Sequence, residues 1–307
     1  MNFNEFKNKL IEIRRFQSAV ALLHWDQLVY MPSGGVDERA KTIAALVGLI
    51  HQKFTSRDFE KILLVFKKKQ PKLNSKQKAI VREVWRDFSR EKKLPQKFVE
   101  ELAQAASLGH NIWKEARKKT NFNLFAPQLK KIVSLKRKEA DYVGYKSSPY
   151  DALLDVYEPG ITSEEISIIF FELKSFLIPL IKKIKNSSVK INSGYIKGNF
   201  EIEKQKNISK FFAQKIGFDF EKGRLDETTH PFCTNFHPCD VRITTRFSKK
   251  DIMYCLSSVI HEMGHALYEQ GLLPENFGTP LGESISLGIH ESQSRLWENI
   301  VGRSLPF

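Results

Sequence analysis

Cysteine is scarce in this chain, which has three thiols among 307 residues, Cys233, Cys239 and Cys255. Three thiols cannot all pair, and so low a content does not suggest the disulfide framework of a small secreted protein. The composition therefore argues against a fold that is held together by disulfide bonds.

Long apolar runs are also lacking. No stretch reaches the ~18 apolar residues that a membrane-spanning helix needs, and the first residues, MNFNEFK, show no basic segment followed by an apolar one. The hydrophobic content of 41% and the charged content of 27% are typical of a soluble globular protein that can bury a core. We therefore predict a cytoplasmic protein with no membrane partner.

Acidic residues are outnumbered by basic ones, which gives a net charge of +14. Clustered Lys and Arg side chains would attract phosphate. The basic groups here, such as residues 67–69, 136–138 and 182–183, are scattered and interleaved with acidic and apolar residues at helical spacing. No recognised nucleic-acid motif accompanies them, so we interpret the charge as a solvated surface and predict no nucleic-acid partner.

The first 216 residues have the pattern of a helical array. Apolar residues recur at intervals of three and four between Leu10 and Leu23, as the buried stripe of an amphipathic helix does. Thr162 and Glu165 form a capping box that opens a later helix, and Pro179 predicts a kink within it. The same periodicity returns at residues 43–54, 59–66, 79–88, 98–113, 129–143 and 166–184.

The chain changes character after this array. Segments 218–220 and 240–247 largely alternate polar and apolar residues, and the second is rich in β-branched types. Short strands are therefore predicted at both. Strand periodicity would place Asp240, Arg242 and Thr244 on one face of the second strand.

The most specific pattern is HEMGH at residues 261–265, in a helix predicted to end at Gly271. Positions four apart share one helix face, so His261 and His265 can direct ring nitrogens at one ion. Glu262 lies to the side, from which its carboxylate can reach a metal-bound water. Zinc lowers the pKa of such a water toward ~7, and a neighbouring glutamate can take up its proton. The pattern predicts zinc-dependent peptide hydrolysis.

A catalytic zinc also needs a third protein ligand and an open position. The downstream carboxylates are Glu269, Glu275, Glu283, Glu291 and Glu298. Glu283 and Glu291 belong to a second helix predicted from residue 282 toward residue 301. Glu291 has a modest lead because His290 and Gln293 beside it are groups of the kind that orient ligands. Spacing alone leaves both glutamates open.

No linker, low-complexity tract or repeat divides the chain. We therefore predict one mainly α domain over residues 1–307. It has a helical portion at residues 1–216, followed at residues 217–307 by the strand element and the two zinc-binding helices.

Two further groups of residues carry a weaker signal. Asp240, Arg242 and Thr244 either face solvent, as polar strand faces often do, or contribute to the site. A separate cluster has metal-like residue types at a spacing that fits no closed zinc motif, so we interpret it as structural or incidental. Its members are His230, Cys233, His237 and Cys239.

Three motifs stand in a fixed order, DVRIT at 240–244, HEMGH at 261–265 and HESQ at 290–293. Other segments flank them, LHWDQ at 23–27, PYDALL at 149–154, YEPG at 157–160 and GRLD at 223–226. In these residues the chain resembles, from about residue 20 to its end, the M32 family of metallocarboxypeptidases, the thermostable carboxypeptidase Taq type.

The resemblance implies a nearly all-helical, zincin-like fold with a deep groove and a small sheet beside the metal. It makes His261, His265 and Glu291 the ligands of one zinc ion per chain, with cobalt as the other metal found in the family. It makes Glu262 the general base.

The resemblance also implies an activity and partners. The family forms homodimers that remove C-terminal amino acids from peptides, with broad specificity and poor action at proline. By the same resemblance, Asp240, Arg242 and Thr244 gain a role in the site, as part of an edge strand that pairs with an extended peptide.

The later motifs of the family have no counterpart before Phe307. In the family those parts close the groove and hold the terminal carboxylate of the substrate. We therefore expect the C-terminal part of the family fold to be missing, apolar helix faces to be exposed, and activity to be doubtful. The alternatives are an inactive remnant and one half of a split enzyme that needs a complementary C-terminal polypeptide.

Overall fold

The protein is mainly helical in the computed structural model, which describes residues 2–190, 194–196 and 198–307. The first nine α-helices are α1 (Phe3–Val29), α2 (Val36–Phe54), α3 (Arg57–Lys68), α4 (Ser75–Glu91), α5 (Gln96–Lys118), α6 (Ala126–Val143), α7 (Pro149–Leu154), α8 (Ser163–Lys185) and α9 (Ile202–Ile216). Three strands and two helices follow, β1 (Gly223–Glu227), β2 (Cys233–His237), β3 (Asp240–Thr245), α10 (Ile252–Gln270) and α11 (Leu287–Arg295). The predicted helical array and the small β element are both confirmed.

The N-terminal core shows how apolar spacing builds this array. In α3, Phe59, Ile62, Leu63 and Phe66 recur at three and four residues, and all four are buried. They pack against Phe6 of α1 and against apolar residues of α4. Helices α1, α3 and α4 therefore form one aromatic-rich cluster.

The sheet has the strand order β1-β3-β2, with β1 parallel and β2 antiparallel to β3. Because β3 is paired on both sides, the expectation that residues 240–244 form an edge strand is wrong. A strand at residues 218–220 is wrong as well. Gly217 ends α9 with a φ of 111°, and Phe218 and Phe220 then pack edge to face, with ring centroids 4.9 Å apart. Both rings contact the core beneath the sheet instead of pairing in it.

Helix α10 lies on this sheet. Its Cys255, Val259 and Met263 are fully buried against Val241 and Ile243 of β3. This apolar stripe, at intervals of four, fixes the rotation of α10 about its own axis. The HEMGH residues that lie off the stripe are thereby held in one orientation.

Helix α8 is an exception to the burial of apolar faces. None of its 23 residues is buried. Apolar side chains on a helix normally pack inside a protein, but those of α8 lie at the surface of the described part of the chain. Its most exposed apolar side chains include Ile168, Ile169, Phe170, Phe171, Phe176, Ile181 and Ile184. Over the described residues, no helix combines the length and apolar character that crossing a membrane requires.

The N-terminal core offers a matched pair of substitutions. Leu63 is fully buried and its neighbour Leu64 is 36% exposed. We expect Leu63→Ala to lower the free energy of unfolding by about 2–5 kcal/mol, because it leaves a cavity in the core. Leu64→Ala, in the same helix, should cost less than about 1 kcal/mol. Urea unfolding would measure both, and equal losses would contradict the assignment of the core.

Candidate metal centre

The centre forms where α10 and α11 approach closely. A Cβ atom at Gly264 would lie 2.5 Å from the carbonyl oxygen of Gln293 and 2.5 Å from Cα of Ser294. Only glycine permits this approach, because real Cβ atoms do not come so near to backbone. The HEMGH segment therefore faces the last turn of α11.

Three of the predicted side chains meet across this contact. Nε2 of His265 lies 3.2 Å from Oε2 of Glu291, and Nε2 of His261 lies 3.6 Å from the same oxygen. One ligand atom from each residue lies within 4.8 Å of the others. No other group of three such side chains converges in the described ranges, and the cluster of His230, Cys233, His237 and Cys239 forms none there.

Glu283, the other carboxylate left open by spacing, lies elsewhere. The second helix begins at Leu287, later than predicted, because Ser286 caps it by accepting a hydrogen bond from the backbone of Ile289. Glu283 therefore precedes the helix, and its carboxylate is 3.5 Å from Arg14. Glu291, on the helix itself, is the carboxylate that reaches the two histidines.

The donor chemistry suits a zinc-like cation. Burial, reinforced by the charges of His290 and His261, lowers the pKa of His265 to about 4, so its ring is neutral at pH 7. Burial acts to raise the pKa of Glu291, but His261 and Arg295 outweigh it and the pKa is lowered. Neutral imidazole and ionised carboxylate are the groups that zinc accepts as ligands. These residues therefore fit the cation that the motif predicts.

Glu262 is buried beside these donors and is 6% exposed. Burial, with the negative charges of Glu291 and Glu298, raises its pKa to about 8. A bound cation would oppose this rise. A buried carboxylate of this kind is a stronger proton acceptor than one in water.

A further carboxylate, Glu298, lies behind the ring of His261. Its Oε2 is 2.9 Å from Nδ1 of His261, on the opposite side of the ring from Glu291. Burial acts to raise the pKa of Glu298, but hydrogen bonds from His261 and Arg303 outweigh it and lower the pKa. Sequence reasoning considered Glu298 only as a ligand. No sequence pattern distinguishes this second role, because a spacing of seven residues from Glu291 predicts only a shared helix face.

His290 and Gln293, the predicted orienting groups, occupy different surroundings. The ring of His290 stacks on that of His265, with centroids 4.5 Å apart and planes at 18°, and its Nε2 is 2.8 Å from Oε1 of Glu269. Glu269 in turn accepts a hydrogen bond from Asn235 of β2. The side-chain amide of Gln293 donates to Ser292 at 3.3 Å. His290 thus contacts the ring of His265, one of the predicted metal ligands. The amide of Gln293 instead contacts the adjacent Ser292.

Of the Asp240, Arg242 and Thr244 face, Arg242 is largely covered and Thr244 is fully buried, whereas the side chain of Asp240 is 44% exposed. Arg242 donates to Asp240 at 2.9 and 3.0 Å, and its guanidinium lies 4.2 Å from the ring centre of Trp25. Thr244 is fully buried, and its hydroxyl accepts from and donates to the backbone of Phe232. For Arg242 and Thr244 a fully solvated face is therefore wrong. The observed contacts tie β3 to α1 and to the segment before β2.

The sequence model of the family described as Carboxypeptidase Taq (M32) metallopeptidase matches residues 5–307. The chain belongs to the M32 metallopeptidase family. Carboxypeptidase 1 of Bacillus subtilis (strain 168) is 39% identical to this M32 chain over 303 residues, which are 99% of the chain and 60% of the relative. Thermostable carboxypeptidase 1 of Thermus thermophilus is 38% identical over 313 residues, 97% of the chain and 61% of the relative. The M32 chain thus spans about three fifths of the length of these relatives.

Solved structures agree with the fold. The crystal structure of BsuCP superposes on this chain with a TM-score of 0.96 at 38% identity. The matched region covers 98% of this chain and 61% of the BsuCP chain. Pyrococcus furiosus carboxypeptidase, in a structure described as Apo-Mg, gives a TM-score of 0.86 at 37% identity, with coverage of 99% and 62%. The mainly α fold with a small sheet is therefore that of M32 proteins.

The approach of α10 to α11 can be tested at Gly264. Alanine normally stabilises a helix relative to glycine, but the added Cβ would strike the backbone of α11. We expect Gly264→Ala to lower the free energy of unfolding by about 1–3 kcal/mol. Gly34→Ala is the control, because no atom lies within 4 Å of its Cβ position. Chemical denaturation measures both; an unchanged Gly264→Ala protein would contradict the close contact.

Proposed function

We propose that His261, His265 and Glu291 bind one zinc ion, and that the site serves the removal of C-terminal amino acids from peptides. The observation that carries this proposal is the convergence of two imidazoles and one carboxylate within 4.8 Å, across the contact of α10 with α11. When bound, zinc supplies a Lewis acid that polarises a carbonyl group and acidifies water.

Glu262 is the proposed general base. It follows His261 in the chain, so it is rotated by about 100° around α10 from the ligand face and stays outside the ligand set. Its buried carboxylate takes one proton from the attacking water, and the same proton then passes to the nitrogen of the leaving amine. The peptide bond breaks, and the new carboxylic acid then gives up the second water proton to the free amine, so that a carboxylate and a free amino acid result.

The exopeptidase part of the proposal rests on the family. The relatives named above are carboxypeptidases, and an enzyme of that class must recognise a free terminal carboxylate, for which a cation is the usual partner. We propose that this group comes from the part of the family fold that the matched relatives carry in addition. The exposed faces of α8 are candidate surfaces for that part, supplied within one polypeptide or by a second one.

Finer properties stay predictions from the resemblance. They are broad specificity with poor action at proline, cobalt as an alternative metal, a homodimer, a cytoplasmic location, and a substrate-binding role for Asp240, Arg242 and Thr244. An inactive remnant is the competing proposal. It predicts that the chain does not hydrolyse peptides, either with zinc alone or with zinc and a complementary C-terminal polypeptide.

Metal binding can be tested on the purified chain. We expect one zinc per chain in the wild type, and loss of that zinc in His261→Ala, His265→Ala and Glu291→Ala, because each change removes a ligand. Glu262→Gln should keep the metal. Glu283→Ala is the control, since it removes the other carboxylate that spacing allowed. The measurement is the zinc content per chain of each variant after dialysis. Zinc lost from Glu283→Ala but kept by Glu291→Ala would overturn the ligand set.

Activity requires a second experiment. We expect the 307-residue chain to cleave a blocked dipeptide at least about 100-fold more slowly than the B. subtilis relative, because the proposal places the group that holds the substrate carboxylate in the part of the relatives outside the matched region. Co-expression with the part of that relative outside the matched region should raise the rate, and Glu262→Gln should abolish the gain. A normal rate from the chain alone would refute the need for that part, whereas no gain would favour the inactive remnant.

A further inference from the structure

Helix α11 does not continue as a regular α-helix. It passes into a π-helical turn, Leu296–Val301, in which the backbone of Gly302 donates to the carbonyl of Trp297, five residues earlier, at 2.7 Å. Such turns are rare and often lie at functional sites. This one carries Glu298.

Both carboxylate oxygens of Glu298 are engaged. Oε1 accepts a hydrogen bond from Arg303 at 2.8 Å. Oε2 accepts from Arg295 at 3.2 Å and lies 2.9 Å from Nδ1 of His261. The side chain is 12% exposed. The carboxylate is therefore held in place by two guanidinium groups before it meets the imidazole ring.

The contact decides which nitrogen of His261 carries the hydrogen. An ionised carboxylate can only accept, so Nδ1 must be the donor. In the neutral ring Nε2 is then left with its lone pair. That nitrogen is the one that faces Oε2 of Glu291, at 3.6 Å.

The second histidine is held in another way. The ring of His265 stacks on that of His290, and His290 in turn faces Glu269. Packing thus restrains His265, whereas a carboxylate hydrogen bond restrains His261. Removing Glu298 should therefore affect one ring of the pair and leave the other in place.

We propose that Glu298 is a positioning residue that fixes His261 as the Nδ1–H tautomer and directs Nε2 toward Glu291 and His265. The functional role of this tautomer, which is to present Nε2 to a metal ion, rests on the proposed metal site. The tautomer itself, however, is a property of the metal-free chain. Carboxylates behind a ligand imidazole typically strengthen metal binding about 10- to 100-fold.

The first test needs no metal. Two-bond nitrogen–proton correlations of the histidine rings, at a pH where the rings are neutral, should show His261 of the wild type with its hydrogen on Nδ1. In Glu298→Ala a mixture of tautomers should appear, while the His265 signals stay unchanged. Glu298→Gln keeps an accepting amide oxygen and should preserve the Nδ1–H form. A wild-type His261 with its hydrogen on Nε2 would overturn the inference, whether or not zinc binds.

The second test measures zinc affinity by competition with a chelator. Glu298→Ala should bind zinc about 10- to 100-fold more weakly than the wild type. Glu298→Gln should fall between them, and Glu275→Ala, which removes an exposed charge from the connecting loop, should change affinity by less than twofold. Equal losses in Glu298→Gln and Glu298→Ala would assign the effect to charge and overturn positioning. A wild type that binds no zinc would refute the proposed metal site and leave the tautomer result standing.

Discussion

The site depends on one steric constraint, the contact of α10 with α11 at Gly264. Histidines at positions 261 and 265 stand on either side of that glycine along α10, and the contact brings Glu291 within reach of both rings. On its other side, α10 rests on β3 through a fully buried stripe that includes Val259 and Met263. One helix is thus clamped between a sheet and a second helix. Its rotation and its distance from Glu291 are set by packing and not by the charged groups themselves.

The packing of α10 and α11 also brings several carboxylates close together around the two histidines. Glu262 and Glu269 are buried on α10. Glu291 approaches both histidines from α11, and Glu298 approaches His261 from the π-helical turn that follows. Burying several carboxylates together is unfavourable unless cations or hydrogen-bond donors compensate them. Arg295 and Arg303 compensate Glu298, while Glu262 has a pKa raised to about 8. The excess of negative charge is a physical reason for a divalent cation to bind here.

The sequence predicted the parts of the fold that follow from local patterns. Helix α8 begins at the Thr162 and Glu165 capping box, and α10 ends just before Gly271. Periodicity failed at residues 218–220, where two phenylalanines fill a core, and it could not place β3 at the centre of the sheet. Strand order depends on pairing between distant segments, which spacing along the chain does not encode. For the same reason the position of Glu298 behind His261 emerged only from the fold.

The order of strands also bears on how this region assembles. Strands β1 and β2 follow one another in the chain but lie on opposite sides of β3, about 10 Å apart at the usual spacing between strands. Neither strand can complete its hydrogen bonds until β3, the last of the three to be synthesised, enters between them. Helix α10 comes directly afterwards and rests on β3. Both outer strands and the helix that carries the two histidines therefore depend on β3, and the support beneath the metal ligands is incomplete until that strand is in place.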